Sequence, residues 1–219
     1  MSKVNLLVVA ISLSLIVMLG CAKKDVSIQI KGSDTMVNLV QSLAEAFMKK
    51  NPDISISVTG GGSGVGIAAI IDKKTDIANA SRQIKDKEVE LAKEKGIELI
   101  PVVIALDGLS VIAHESLPVE SLTLDEIGKI YRGKITNWKE IGGPDLEISL
   151  YGRTSASGTY IYFRDKVVKW DYSPKMKGMI GNSHIVEAIK KDKSGIGYVG
   201  VGYIVDDKGK LIKGIKPLN

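Results

Sequence analysis

Along the chain, the spacing of apolar residues alternates between the two-residue period of a strand and the 3.6-residue period of a helix. Val26 to Ile30 alternates apolar and polar residues, which is typical of a half-buried strand. Apolar residues then recur at helical spacing from Leu39 to Met48, and Asn51-Pro52 ends that predicted helix. Residues 54–58 return to strand alternation. Because strand and helix signals follow one another with short connections, the pattern predicts an α/β fold.

Further helices are indicated by their starts and ends. A glycine turn over 60–66 leads into an apolar helix over 67–71, and a charged helix over 86–95 closes at the C-cap Gly96. In the second half, Thr123 and Glu126 have the spacing of a capping box, Ser157 opens a helix that runs to Val168, and Ser183 is predicted to cap another helix.

Further strands are indicated by apolar runs. Residues 97–106 and 109–113 are mostly apolar, which predicts two buried strands. Residues 147–151 and the glycine-interrupted stretch 196–205 have the same character. The second half therefore repeats the strand and helix alternation of the first.

The N-terminus carries a targeting signal. Residues 6–19 are apolar except for two serines, and this run is shorter than the roughly 20 residues of a membrane-spanning helix. The single cysteine of the chain, Cys21, follows directly after Gly20. We predict a lipoprotein signal peptide over 1–20, lipidation of Cys21, a tether over 21–25, and an extracytoplasmic protein anchored to the cell membrane by lipid. The alternative is an ordinary signal peptide with a chance cysteine.

The charge distribution narrows the choice of partners. The formal net charge is +5, which suits an anionic surface, nucleic acid or a small anion. The lysines stand in short, scattered groups and aromatic residues make up only 5% of the chain, so no base-stacking platform is indicated. We therefore predict no nucleic-acid partner.

Three segments share one design, in which a strand ends, glycines and hydroxyl residues follow, and a helix begins. They are residues 32–36, 60–66 and 153–159. Each offers backbone N–H groups and hydroxyl donors near a helix N-terminus, where the aligned peptide dipoles favour an anion. Arg153 adds a full positive charge with planar donors that match an oxyanion. Taken singly, the serines and threonines could simply be helix N-caps.

Enzymatic chemistry finds little support. The glycine run is followed by Ile67-Ala68 and not by the Lys-Ser/Thr of a nucleotide-hydrolysing phosphate loop. Gly64 to Ala69 fits the loose dinucleotide pattern, but the expected acidic residue falls at a helix start. The two histidines lack metal spacing, and no nucleophile and base pair is evident. We predict no catalytic residue, no metal site and no cofactor; a secreted phosphatase-like hydrolase is kept as an alternative.

With these motifs in place, the chain resembles the phosphate-binding proteins of ABC importers, a family within the periplasmic-type binding proteins. The similarity runs from about Val26 to Ile204. The stretches that carry it are 32–36, 60–66, 75–82, 124–138, 153–159 and 195–200.

The resemblance implies a two-lobed periplasmic-binding-protein fold of type II. Lobe 1 would span 26–105, lobe 2 would span 106–205, and residues 206–219 would make a partial return toward lobe 1. The C-terminus would be shorter than is usual in the family. Inorganic phosphate would be held between the lobes and passed to an ABC importer permease.

The resemblance also implies the phosphate-binding residues. Thr35 would donate by its side chain and Met36 by its backbone N–H, whereas Ser81 stands in the place of a family aspartate. The full implied set is Ser33, Thr35, Met36, Ser63, Ser81, Arg153, Ser157, Gly158 and Thr159. A receptor or scavenger for another tetrahedral oxyanion, such as sulfate, is the alternative function.

Overall fold

A parallel three-stranded sheet forms lobe 1. The computed structural model describes residues 26–219. The strands are β1 (Val26–Gly32), β2 (Ile54–Thr59) and β3 (Ile77–Asn79). Both β2 and β3 pair with β1 in parallel, in the order β2-β1-β3. The carboxyl ends of all three strands therefore lie at one edge of the sheet, where ligands of open α/β sheets bind.

Three helices accompany this sheet, namely α1 (Val37–Lys50), α2 (Ser63–Ile71) and α3 (Asp86–Glu94). A one-turn 3₁₀ helix, Asp34–Met36, joins β1 to α1. Ile67 and Ile71 of α2 pack with Ala92 of α3 in the small core of this lobe. The chain thus passes from the end of β1 into Asp34–Met36, and from the end of β2 into α2, at the same edge of the sheet.

Lobe 2 is built on a mixed five-stranded sheet of order β6-β5-β7-β4-β8. Strand β5 pairs in parallel with β6 and β7, whereas β4 pairs antiparallel with β7 and β8. The strands are β4 (Leu109–His114), β5 (Ser149–Arg153), β6 (Lys177–Met179), β7 (Gly195–Gly200) and β8 (Ile215–Pro217).

The helices of lobe 2 are α4 (Leu124–Tyr131), α5 (Gly158–Phe163) and α6 (Asn182–Lys191). A π-helical turn, Arg164–Val168, continues α5, and 3₁₀ turns cover Trp138–Ile141 and Val201–Tyr203. Thr123 caps α4 with the reciprocal capping box that its sequence predicts.

An aromatic core supports the end of β5. The rings of Phe163 and Tyr198 stack at 4.0 Å, and Tyr131 contacts both rings edge-on. The Tyr198 hydroxyl accepts a hydrogen bond from the Arg153 backbone N–H at 3.2 Å. The core of lobe 2 is thereby joined directly to the residue that ends β5.

The expected α/β binding-protein fold is confirmed, but three local predictions are wrong. Residues 97–106 form no strand and lie outside both sheets. Residues 206–219 do not return toward lobe 1, since β8 pairs with β4 in the sheet of lobe 2. Ser183 does not cap α6, because that helix already begins at Asn182 after the N-cap Gly181.

The predicted signal peptide, tether and lipidation of Cys21 lie outside the described residues. Within the described range, no helix combines the length and the apolar character needed to cross a membrane.

Candidate functional site

The three predicted segments meet where the lobes touch. The hydroxyls of Thr35 in lobe 1 and Thr159 in lobe 2 are hydrogen-bonded at 2.7 Å. The Gly64 N–H donates to the Ala156 carbonyl oxygen across the same boundary, at 2.9 Å. These contacts bring residues 33–36, 62–66 and 153–159 to one place, as the sequence motifs predict.

Two glycines let the lobes approach this closely. Gly62 has a φ of +108°, and a Cβ atom there would lie 2.8 Å from the Ala156 carbonyl oxygen. A Cβ atom on Gly158 would lie 2.5 Å from Ser63 Oγ and 2.7 Å from Ser81 Oγ. Side chains at either position would therefore push the lobes apart.

Ser63 and Ser81 form a hydroxyl pair on the lobe 1 side. Ser63 is fully buried, and its Oγ accepts a hydrogen bond from the Ser81 backbone N–H at 3.0 Å. The two hydroxyl oxygens are 3.3 Å apart. Both hydroxyls face Gly158. Ser81, which was predicted as a site residue, therefore lies beside Ser63 although it comes from the loop after β3.

Ser33 and Met36 belong to the turn that follows β1. Ser33 is buried, and its N–H donates to the Asn79 carbonyl oxygen at 2.8 Å. The Met36 N–H, predicted as a ligand donor, donates to the Ser33 carbonyl oxygen at 3.3 Å. This long bond closes the one-turn helix, and a ligand that takes the Met36 N–H would have to replace it.

Ser157 is an N-cap, as the alternative reading of the motif allows. Its hydroxyl oxygen accepts from the Tyr160 N–H at 3.3 Å. A hydroxyl that accepts at a cap still has its proton available for donation. The cap and a ligand-binding role are thus compatible for Ser157.

Arg153 brings a buried positive charge to the same place. Its side chain is 1% exposed, and Nη2 donates to the Ile180 carbonyl oxygen at 2.8 Å. Among the described residues, Nε and Nη1 have no hydrogen-bond partner. Burial lowers the pKa of the guanidinium, and the nearby Asp34, Tyr198 and Tyr203 oppose that shift. Buried, unpaired N–H groups are costly unless a ligand accepts from them.

Arg82, the other arginine near the motifs, is already engaged. Its guanidinium makes a two-pronged contact with the Glu88 carboxylate, at 2.6 and 2.8 Å. The hydrogen bond from Arg82 lowers the pKa of Glu88. Arg153 is therefore the better candidate for the central cation.

The sequence motifs did not identify two residues of this region. Asp34 Oδ1 accepts hydrogen bonds from both the backbone N–H and the side-chain amide of Asn182, each at 2.7 Å. It also lies 3.5 Å from Arg153 Nη1. Asp34 sits inside the motif 32–36 and could have been suspected; Asn182, a helix residue of lobe 2, has no local signal.

Within residues 26–219, no three His, Cys, Asp or Glu side chains are grouped so as to hold a metal ion.

Comparison with known proteins agrees with this geometry. The chain matches the PBP superfamily domain over residues 21–215. It is 36% identical over 204 residues to the phosphate-binding protein PstS of Bacillus subtilis, covering 90% of this chain and 65% of that protein. It is 35% identical over 187 residues to the protein SphX of Synechococcus elongatus, covering 82% of this chain and 56% of SphX. The chain thus spans less than two thirds of the length of these curated relatives.

Solved structures give the same picture. A phosphate ABC transporter substrate-binding protein with bound phosphate, from Clostridium perfringens, superposes with a TM-score of 0.77 at 35% identity, covering 88% of this chain and 75% of that one. An ABC-type phosphate transport receptor from Vibrio cholerae superposes with a TM-score of 0.63 at 27% identity, with the same two coverages. The chain is therefore similar in fold to two solved structures of phosphate transport receptors.

Proposed function

Since this chain belongs to the PBP superfamily, and within it to the substrate-binding proteins of phosphate ABC transporters, we propose that it captures inorganic phosphate between its two lobes and delivers it to an ABC importer. One observation carries the proposal. Arg153 presents a buried guanidinium whose Nε and Nη1 have no hydrogen-bond partner within residues 26–219, at the place where hydroxyl residues of both lobes meet. A tetrahedral oxyanion offers the acceptors that these donors require.

The donors we assign to phosphate come from both lobes. Lobe 1 would contribute hydroxyls and one backbone N–H, and lobe 2 would contribute the positive charge, hydroxyls and further backbone N–H groups. The assigned residues are Ser33, Thr35, Met36, Ser63, Ser81, Arg153, Ser157, Gly158 and Thr159. Because Thr35 and Thr159 touch each other directly, we infer that an entering anion separates their hydroxyls and then bridges them.

Calorimetric titration of phosphate-stripped protein tests this function. We expect saturable binding of phosphate with one site per chain, and weaker binding of sulfate at equal ionic strength. If sulfate binds more tightly than phosphate, the ligand would be sulfate, and the protein would be a receptor or scavenger for that anion. Absence of binding to either anion would reject the proposal.

A parallel incubation with a phosphomonoester separates a binding protein from a hydrolase. A binding protein retains free phosphate stoichiometrically and leaves the ester intact. Continuous release of phosphate from the ester would indicate an enzyme, provided that the Arg153→Ala variant, purified in the same way, no longer releases it.

We also propose that Cys21 is lipidated and holds the protein at the outer face of the membrane. The support is its position directly after the apolar run of residues 6–19. Cys21→Ala should move the protein from the membrane fraction to the soluble extracytoplasmic fraction. A variant that still sediments with membranes would show that another segment anchors it.

A further inference from the structure

The proposed phosphate donors of lobe 2 lie on one segment, the donor loop (residues 153–160), which connects β5 to the first turn of α5. These donors are Arg153, Ser157, Gly158 and Thr159. On the side of β7, the parallel ladder of β5 ends at Leu150, three residues before Arg153. The backbone of Arg153 therefore needs another partner on that side.

Two tyrosines supply this partner and connect both ends of the donor loop. The Tyr198 hydroxyl, from β7, accepts a hydrogen bond from the Arg153 backbone N–H at 3.2 Å. Its oxygen lies 3.1 Å from the Tyr172 hydroxyl oxygen. The Tyr172 hydroxyl donates to the Tyr160 carbonyl oxygen, in the first turn of α5, at 2.9 Å. The chain of hydroxyl groups thus runs from the first residue of the donor loop to the last.

The hydrogen bonds of this chain have only one possible direction. A carbonyl oxygen can only accept, so the single proton of the Tyr172 hydroxyl is used at Tyr160. Tyr172 must then accept from Tyr198, which itself accepts from the Arg153 N–H. Burial raises the pKa of Tyr198 to about 12 and raises the pKa of Tyr172 as well, so both hydroxyls keep their protons at neutral pH.

The aromatic core keeps both hydroxyls in place. Tyr198 is fully buried, and its ring stacks on Phe163 at 4.0 Å. The ring of Tyr172 packs against that of Tyr160 at 4.5 Å. All of these residues belong to lobe 2, so the arrangement does not depend on where lobe 1 lies. Successive hydrogen bonds in a buried chain also strengthen one another.

We propose that Tyr198 and Tyr172 are positioning residues, which fix Arg153 relative to the N-terminus of α5 through this hydroxyl relay. The relay sets the spacing between the guanidinium and the N–H and hydroxyl donors at the start of the helix, and thereby the size of the tetrahedral anion that lobe 2 accepts. The claim about anion size rests on the proposed function, whereas the relay itself does not.

Nuclear magnetic resonance of the anion-free protein tests the relay independently of the ligand. We expect Tyr172→Phe to move the backbone amide proton resonance of Arg153 upfield, although Tyr172 reaches Arg153 only through the Tyr198 hydroxyl. Tyr131→Phe is the matched control, because it removes another buried hydroxyl of the same core, one that donates to a carbonyl of β5. An Arg153 resonance that stays in place in Tyr172→Phe, or that the control moves as far, would overturn the relay.

Anion titrations test the positioning role. Tyr198→Phe and Tyr172→Phe keep their rings, and each should weaken phosphate binding about tenfold, as the loss of one buried hydrogen bond does. The double variant should bind about as weakly as the weaker single variant, because both changes break one relay. The preference for phosphate over arsenate, a larger tetrahedral anion, should shrink in the same variants. Tyr131→Phe should keep the wild-type phosphate affinity and preference.

The outcomes separate the positioning role from the proposed function. Wild-type affinity and preference in Tyr198→Phe and Tyr172→Phe would overturn the positioning role, and so would a weaker affinity with an unchanged preference. Additive losses in the double variant would show that the two hydroxyls act separately and would contradict a shared relay. If the wild type binds no phosphate while Tyr172→Phe still moves the Arg153 resonance, the proposed function fails and the relay is retained.

Discussion

At the residue scale, Arg153 combines burial with two N–H-bearing nitrogens, Nε and Nη1, that have no hydrogen-bond partner among the described residues. Charge-assisted hydrogen bonds to an anion contribute about 1.5–3 kcal/mol each, and this guanidinium can make two. We expect Arg153→Ala to weaken phosphate binding at least about 100-fold, since each 1.4 kcal/mol is about a factor of 10. The phosphate affinity of Arg153→Lys should fall between those of the wild type and Arg153→Ala, because lysine keeps the charge and loses the planar fork.

Arg82→Ala is the control for the Arg153 variants, because Arg82 is a second arginine near the site but is paired with Glu88. Its effect on the titration should be smaller than that of Arg153→Ala. Should Arg82→Ala abolish phosphate binding while Arg153→Ala binds as the wild type does, the central cation would have to be reassigned to Arg82.

The sequence predicts residues of the site only where they belong to a short motif of neighbouring positions. Ser63 begins α2 and Arg153 ends β5, each within a motif that glycines and hydroxyls mark in the sequence, so the sequence predicts both and both lie at the lobe boundary. The contact between Asp34 and Asn182 joins residues 148 positions apart. No periodicity or cap signal in a single sequence encodes such a pairing, so Asn182 was missed and the cap was placed on Ser183.

At the scale of elements, the Arg82 and Glu88 pair fixes the loop after β3 to α3. Its hydrogen bond holds the pKa of Glu88 below the ordinary value of 4.5. A carboxylate with a lowered folded-state pKa stabilises the fold above its unfolded-state pKa, and that stability is lost as the pH falls through the folded-state value. The pair should therefore stabilise the protein at neutral pH and lose its effect under acidic conditions.

Denaturant unfolding of Glu88→Gln at several pH values checks this expectation. At neutral pH the variant should be less stable by about 1.5 kcal/mol, because a largely buried charged hydrogen bond is weakened. The difference should shrink as the pH is lowered below about 4.5. Glu94→Gln, on the exposed side of the same helix, should match the wild type throughout. A deficit in Glu88→Gln that stays constant with pH would mean that packing, not charge, is responsible.

Elements with their own start and stop signals were predicted well, and those that need a distant partner were not. Thr123 and Glu126 define the start of α4 by themselves, and the structure confirms their capping box. Residues 97–106 have the apolar content of a buried strand, but a strand also requires an edge to pair with. Residues 97–106 pair with neither of the edge strands β2 and β3 of lobe 1, so their apolar content alone did not determine a strand.

At the scale of the whole molecule, the same segment is an exposed apolar surface. Val102, Val103 and Leu106 are 75%, 76% and 95% exposed. Contiguous apolar surface of this kind promotes self-association. We expect the double variant Val103→Lys with Leu106→Lys to be more soluble and to bind less of a hydrophobic fluorescent dye.

The double variant should keep the unfolding free energy of the wild type to within about 0.5 kcal/mol, because it changes exposed side chains only. Ser121→Lys, which adds a charge at an exposed polar position, controls for net charge. A loss above about 2 kcal/mol in the double variant would show that the segment is buried in solution.

The connectivity of the two sheets also sets the order in which they can be completed during synthesis. Lobe 1 pairs strands that follow one another within residues 26–79. In lobe 2, β4 must wait for β7 and then for β8, whose pairing joins Ile112 to Pro217. Closure of such long loops slows folding, and unpaired strands are prone to aggregate meanwhile. Emerging from the ribosome or an export channel, the chain can assemble the sheet of lobe 1 early, whereas β4 stays without β7 until residue 200 has appeared and without β8 until residue 217 has appeared.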